Sequence, residues 1–369
     1  MHLWEEREWP AFKLDAEAIR EQLATVRRKQ GSLREAIFAL GIPQSAEAEA
    51  LAITEEAFWN SEIEGERLDR DAVRSAVARR LGLEAPFAFH RQAEGAAEIV
   101  LDATRNFRAP LTEERLFGWH AALFPEGSSR SGKIRTAAWR DDAKGPMVIA
   151  SGPMGREKIH FQAPPASRLP LEMGRFLAWF NAEQAIDGVL KAAIAHLWFV
   201  TIHPFEDGNG RIGRAIAGLA LARSEDSGRT FHSLSRQIAK ERKGYSGSLE
   251  NADRCGLDLT GWASWFLGCL SRAVDGAREM HRQALRKARF WTIHARSPLN
   301  ERQKLMLSRC LEGFKGHLTA RKWSKIAHCP LLTAERDIRE LLELGVLSRD
   351  PGDRKEASFS VVVPDEPSL

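Results

Sequence analysis

Near the start of the chain, apolar residues recur every three or four positions: Ile19, Leu23, Val26, Leu33, Ile37 and Leu40, with Gln30 at the one gap. That spacing places them on one stripe of a long amphipathic helix. Asp15 supplies a side-chain acceptor at its start, Gly41-Ile-Pro43 ends it, and Trp9-Pro10 ahead of it reads as non-helical. A second helix is expected over 45–64, with Gly65 just past its end, and alanine-rich helical sequence follows to about residue 105. The pattern then changes to two short strand-like runs, 147–150 and 158–161, around the turn sequence Ser151-Gly-Pro-Met-Gly155. Helical patterning resumes over 192–202 and again through Ile212, Ile216 and Leu219.

A basic helix with scattered apolar residues covers 278–296 and stops at Ser297-Pro298; a charge run of this kind is a solvated face or a connecting helix. Beyond it, Asn300 opens a helix through Leu305, Leu307 and Leu311, a second covers 319–327, and a third covers 333–344, closed by Gly345. Residues 346–361 read as two strands around a Pro-Gly turn. The chain is therefore mainly α.

Composition narrows the class. A length of 369 residues allows two or three domains. The 54 basic and 50 acidic residues leave a net charge of +4, too mild to argue for or against a nucleic-acid partner. The first residues lack the basic-then-apolar order of a signal peptide, and the longest apolar stretches, such as 215–222, are too short to span a bilayer, so no membrane partner is expected. Cys255, Cys269, Cys310 and Cys329 show no paired metal-ligand spacing and read as free thiols of a cytoplasmic protein.

The chemistry concentrates in His203-Pro-Phe-Glu-Asp-Gly-Asn-Gly-Arg-Ile-Gly-Arg214. Gly208, Asn209 and Gly210 let backbone N–H groups approach an anion at the start of a helix, where unpaired donors and the positive dipole end favour negative charge. Arg211 and Arg214 are three apart, share a helix face and can clamp phosphate oxygens together. Asp207 can hold Mg²⁺, which takes one or two carboxylates plus substrate phosphates. His203 is the side chain suited to proton abstraction near neutral pH. This set fits chemistry on a polyphosphate.

The run resembles the signature of the Fic family, H-x-F-x-(D/E)-G-N-G-R-x-x-R, at every specified position. The resemblance implies a helical core with a β-hairpin flap, and transfer of AMP from ATP to a hydroxyl side chain (Ser, Thr or Tyr) of a target protein. By it, His203 is the base, Asp207 the Mg²⁺ ligand between the α- and β-phosphates, and Phe205 a core anchor for the loop. Gly208, Asn209, Gly210 and Arg211 hold the phosphates, and Arg214 orients the γ-phosphate. Some relatives use other nucleotides, move other phosphorylated groups or remove AMP, and the motif does not fix the direction.

The resemblance extends outward. Asn60-Ser-Glu-Ile-Glu-Gly65 is similar to the family's inhibitory motif (S/T)-x-x-x-E-(G/N), which implies that Glu64 pairs with Arg214 and blocks the γ-phosphate. Asn60 stands where the family has Ser or Thr, and Ser61 fills the adjacent slot. Gly132-Lys-Ile-Arg135 looks like the element before the flap, and the hairpin, with Val148, Ile149 and Ala150, is implied to hold the target by main-chain pairing. Phe231-His-Ser-Leu-Ser235 and Glu241-Arg-Lys-Gly-Tyr245 also look family-like; Tyr245 either lines an adenine pocket or packs in the core. His196 reads as a buried structural histidine. The implied domains are 1–44, a small helical domain; 45–105, carrying the inhibitory helix; 106–277, the catalytic core; 278–298, a connecting helix; and 299–369, resembling a winged helix-turn-helix.

In that last unit the helix from Thr333, with Arg336 and Arg339, occupies the recognition position. Residues 297–369 carry 12 Lys and Arg against 11 Asp and Glu, so DNA binding and a dimerisation or protein-docking role stay open together. Self-modification is a further implied outcome. A rival of another class is a DNA-binding regulator whose Fic core only senses nucleotide; the intact His203 and Asp207 weigh against it.

Overall fold

Helix α1 (Ala16–Ala39) starts where the Asp15 carboxylate accepts the N–H groups of Glu17 and Ala18, and Ile19, Val26, Leu33 and Ile37 are buried along its stripe. Gln30 fills the gap because its amide donates to the Glu225 carboxylate at 2.6 Å. The computed structural model describes residues 2–85, 88–129, 132–143, 145–151, 158–183, 185–311, 313–314, 316–351 and 357–362. Helix α2 (Ile42–Ile63) begins earlier than the expected residue 45. Gly41 turns the chain at φ 92°, and Pro43 fits the first turn, where its missing N–H costs nothing.

Three carboxylates, of buried Glu49 and Glu55 and half-buried Glu56, fasten α2 to its neighbours. Glu49 accepts from Arg105 at 2.5 Å and Arg229 at 2.7 Å. Glu55 pairs with Arg70 and with Arg236 at 3.1 Å. Glu56 accepts from the Ser233 hydroxyl at 2.7 Å and the Ser235 N–H at 2.9 Å. Helices α3 (Arg70–Arg80) and α4 (Arg91–Arg105) close over α2 around Ile53, Ala57, Val73, Ala97 and Val100, small residues that let the helices approach closely.

After α5 (Glu113–Leu123) come two short antiparallel pairs, β1 (Ser128–Ser129) with β2 (Gly132–Lys133), and β3 (Val148–Ser151) with β4 (Lys158–Gln162). Val148 lies opposite Gln162, with an irregularity between Ile149 and Ala150. The expected turn at 151–155 falls, beyond Ser151, outside the described residues. Helices α6 (Leu169–Asn181), α7 (Gly188–Ile202), α8 (Asn209–Ser224), α9 (Leu234–Lys240) and α10 (Arg242–Arg254) follow. Helix α7 starts before the expected residue 192 because Asp187 caps it, accepting the Val189 N–H at 2.7 Å. Almost all of its residues are apolar, so it is enclosed by protein and packs along α8.

The chain divides into two compact units, 1–277 and 278–369, and the division falls within α11 (Thr260–Ile293). Residues 1–105 belong to the first unit. The second holds α12 (Glu301–Leu311), α13 (Ala320–Ile326), α14 (Leu331–Glu343) and an antiparallel pair, β5 (Leu347–Arg349) with β6 (Phe359–Val361). Its core includes Met306, Leu307, Trp323, Ile338, Leu341 and Phe290. Within the expected connecting helix, 278–298, Phe290 is fully buried and packs in this core. Helix α14 starts at Leu331, two residues before the expected Thr333. The residues between its two strands that were expected to turn lie, at 352–356, outside the described residues. Among the described residues, no helix is long and apolar enough to cross a membrane.

Candidate functional site

Helix α7 ends one residue before His203, which caps it in the left-handed conformation, φ 51° and ψ 58°. That reversal ends α7 and leads the chain into the loop before α8. His203 Nδ1 lies 3.2 Å from the Val200 carbonyl, an acceptor only, so Nδ1 carries the proton and Nε2 the lone pair. Burial draws the pKa down to about 4, opposing the backbone bond to Val200, and the ring is neutral at pH 7. The residue keeps partial exposure, and the Phe161 ring of β4 sits 6.4 Å away.

The loop to α8 is braced from within. Asn209 accepts the Phe205 N–H at 2.9 Å and donates to the Phe205 carbonyl at 2.8 Å, so its side chain staples the loop and only its backbone faces an anion site. Phe205 is fully buried and stacks on His120 at 4.2 Å. Gly208 takes φ 85°, and a Cβ there would meet the Phe124 ring at 2.9 Å. A Cβ on Gly210 would lie 2.2 Å from Glu64 Oε1. The cradle at the start of α8 therefore already receives an anion, the carboxylate of Glu64.

Glu64 caps α2, Gly65 follows at φ 80°, and Glu64 Oε1 accepts from Arg214 Nη2 at 2.8 Å. Burial pushes the Glu64 pKa up, but the adjoining Arg214, with Arg211 and His203, outweighs it and holds the carboxyl below its usual range. Arg214 is held on its other side by Asn60, whose Oδ1 accepts from Nε at 2.5 Å and whose carbonyl accepts from Nη2 at 2.9 Å. Asn60 Nδ2 also donates to the Arg211 carbonyl at 3.2 Å. The contact expected of Ser61 is thus made by Asn60; Ser61 is buried, and its carbonyl accepts the N–H groups of Glu64 and Glu66.

Arg211 is 1% exposed and lies over the Phe124 ring at 4.7 Å. Its Nη1 meets Glu66 at 2.5 Å and its Nη2 is 3.7 Å from Asp207. Burial, with Asp207 and Glu64 nearby, raises the Glu66 pKa against the pull of Arg211. Tyr245 is buried, its hydroxyl 2.9 Å from His196 Nε2 and bonded to Arg214, and burial lifts its pKa to about 12. It backs Arg214 rather than standing open to a base. His196 is 1% exposed and stacked on Trp262. On the flap, Val148 and Ile149 are 36% and 47% exposed, with Ala150 beside them in β3.

The cradle tests well against a metal-bound polyphosphate. Arg211 Nε is buried without a hydrogen-bond partner, Gly210 lets the Glu64 carboxylate come within 2.2 Å of where a Cβ would lie, and the Asp207 carboxylate is 35% exposed. Among the described residues no three His, Cys, Asp or Glu side chains group to hold a metal, so a cation at Asp207 would take phosphate and water as its other ligands.

Residues 110–221 match the profile of the Fic/DOC family. The chain carries a Fic domain. Residues 2–83 match a domain of unknown function (DUF4172). A probable protein adenylyltransferase of Aquifex aeolicus is 33% identical over 89 residues, 24% of this chain and 28% of that protein. The protein adenylyltransferase Fic of Culex quinquefasciatus is 47% identical over 58 residues, 15% of this chain and 12% of that one. The chain thus spans less than a third of either relative. A solved Fic family protein from Desulfovibrio desulfuricans G20 superposes with TM-score 0.55 and 20% identity over 95% of this chain and 97% of that one, a likeness of fold.

Three residues of the Fic site escaped the sequence reading. Arg140 donates to the His203 carbonyl at 2.8 Å and to the Pro164 carbonyl at 2.5 Å, fixing the left-handed cap. His120 accepts the Ala137 N–H at Nδ1 and meets the Asp207 carbonyl at 3.2 Å through Nε2, bracing the loop from below. Glu66 holds Arg211. Only Glu66, two residues after Glu64, carried a positional hint.

Proposed function

We propose that this protein transfers AMP from ATP to a hydroxyl side chain of a target protein, and that Glu64 holds the activity in check. His203 Nε2 takes the hydroxyl proton; the hydroxyl oxygen forms a bond to the α-phosphorus as the bond to the β-phosphate oxygen breaks, and pyrophosphate leaves. The chemistry asks for position and charge neutralisation more than covalent help. The N–H groups at the start of α8, with Arg211 and Arg214, bind the phosphates. Mg²⁺ at Asp207 would offset phosphate charge. The flap edge at Val148, Ile149 and Ala150 aligns the target backbone.

The observation that carries this reading is the carboxylate of Glu64 lying against Gly210 and Arg214 at the start of α8, six residues after a His203 whose Nδ1 is bound to the Val200 carbonyl. The names of the curated relatives agree with adenylyl transfer. Incubating the Glu64→Gly protein with each nucleoside triphosphate and Mg²⁺, then weighing it, tests the reading: a gain of one AMP supports it. A gain from another nucleotide corrects the donor, and no gain with any nucleotide or candidate target removes the transferase assignment.

The second unit, with three helices followed by a hairpin, is read as a winged helix. On α14, exposed Arg336 and Arg339 alternate with exposed Glu335 and Glu340, and Leu331 and Leu332 are exposed at its start. That face lacks the clustered positive charge that DNA requires, which favours a protein partner or a second copy of the chain.

A further inference from the structure

The two guanidinium groups of the anion cradle are each engaged by a carboxylate from one short turn, Glu64 on Arg214 and Glu66 on Arg211. With Asp207 this makes three carboxylates against two guanidinium groups, and His203 is neutral. A polyphosphate approaching the site meets an excess of one negative charge. Clearing Glu64 alone leaves two against two.

We infer that Glu66 is a second acidic determinant of nucleotide affinity, acting through Arg211 and independently of Glu64. The inference rests on reading Arg211 as a phosphate ligand. Glu66 meets Arg211 through a single nitrogen, Nη1, whereas a phosphate group can take two guanidinium N–H groups at once and brings more charge. Glu66 has somewhere to go. It lines an open cleft of about 750 Å³, with Arg67 and Arg242 as well as Glu62 and Glu126 on the same lining, so the side chain has room to leave Arg211. Glu64 has Arg214 as its direct partner and bears on Arg211 and Glu66 only through space. Relief at Glu64 therefore leaves the cradle half restrained, and Glu66 sets how tightly the freed site holds its donor.

The test uses the full chain carrying Glu64→Gly, alone and with Glu66→Gln, and measures the binding of ATP, ADP and adenosine by calorimetry with Mg²⁺ present. Glu66→Gln is expected to tighten ATP and ADP by about fivefold, the scale of a partly exposed ion pair, and to leave adenosine unchanged. Equal ATP affinity in the two proteins overturns the role of Glu66 while leaving the nucleotide site intact. An equal shift for adenosine marks a general structural effect and also overturns it. If neither protein binds ATP, the reading of the site falls together with the inference. Glu66→Asp, which withdraws the charge by one methylene, is expected to shift affinity the same way by less, so a poorly folded Gln variant does not shield the claim.

Discussion

Glu64 Oε1 and Arg214 Nη2 meet at 2.8 Å above Gly210, where a Cβ would strike the carboxylate. The pair joins the end of α2 to the first turn of α8 and fills the space that the proposed phosphate would need. Glu64→Gly is expected to raise self-modification by about tenfold, the low end for a charge-assisted contact because 36% of the Glu64 side chain faces solvent. Intact-mass analysis reads it directly, and labelling equal to the unaltered protein would count against autoinhibition.

The base should work well into the acid range. An ordinary histidine protonates near pH 6.5 and would lose its lone pair below that. Burial holds His203 neutral down to about 4. Transfer by the Glu64→Gly protein is therefore expected to stay flat from pH 8 to about pH 5.5, and His203→Ala to abolish it while nucleotide binding survives. A rate that halves at pH 6.5 would show a base with ordinary exposure.

Asn60 tests the Arg214 clamp. Replacing it by Ala removes the acceptor of Arg214 Nε and the donor to the Arg211 carbonyl. Leaving a buried charged donor unmatched costs about 1–3 kcal/mol, so a lower midpoint in urea at unchanged slope is expected. An unchanged midpoint would mean the amide contributes only shape.

Asp207→Ala should remove the metal dependence of transfer along with the activity itself, and EDTA should mimic it. Full activity in either condition would displace Asp207 from its proposed role.

Arg140 is the fifth site. Its guanidinium is fully buried and holds the carbonyl that the left-handed His203 cap leaves exposed. Arg140→Met should lower the transfer rate by about tenfold or more with little change in ATP affinity, because a small error in the position of the base is costly. Equal losses in both would assign Arg140 to overall folding.

Arg140 also shows why part of the site was hidden in the sequence. Its acceptors are main-chain carbonyls at 164 and 203, and no spacing rule marks a carbonyl. His120 is hidden for the same reason, since its partners are the backbone of Ala137 and Asp207. By contrast, the stretch 203–214 is contiguous, so its glycines, arginines and histidine could be read together. Glu64 was legible through its neighbours, whereas Asn60 read only as a departure from the family's Ser or Thr. The amide reaches Arg214 across 154 residues, and the exchange of Ser or Thr for Asn at that place gains meaning only when both helices are present. Tyr245 was visible as a lone tyrosine, and only the packing shows it turned toward His196 and Arg214. The start of α2 was placed late because Pro43 looked like a stop, and the φ of Gly41 makes it a beginning.

Glu49, Glu55 and Glu56 rivet the body of α2 to its neighbours, while its last turn is tied to α8 through Asn60 and Glu64. If Glu64 restrains the protein as proposed, its release need not dislodge a helix. It has to rotate one or two side chains, so the threshold for switching on can be tuned in small steps by single substitutions near residues 60–66, with the rest of the scaffold left undisturbed.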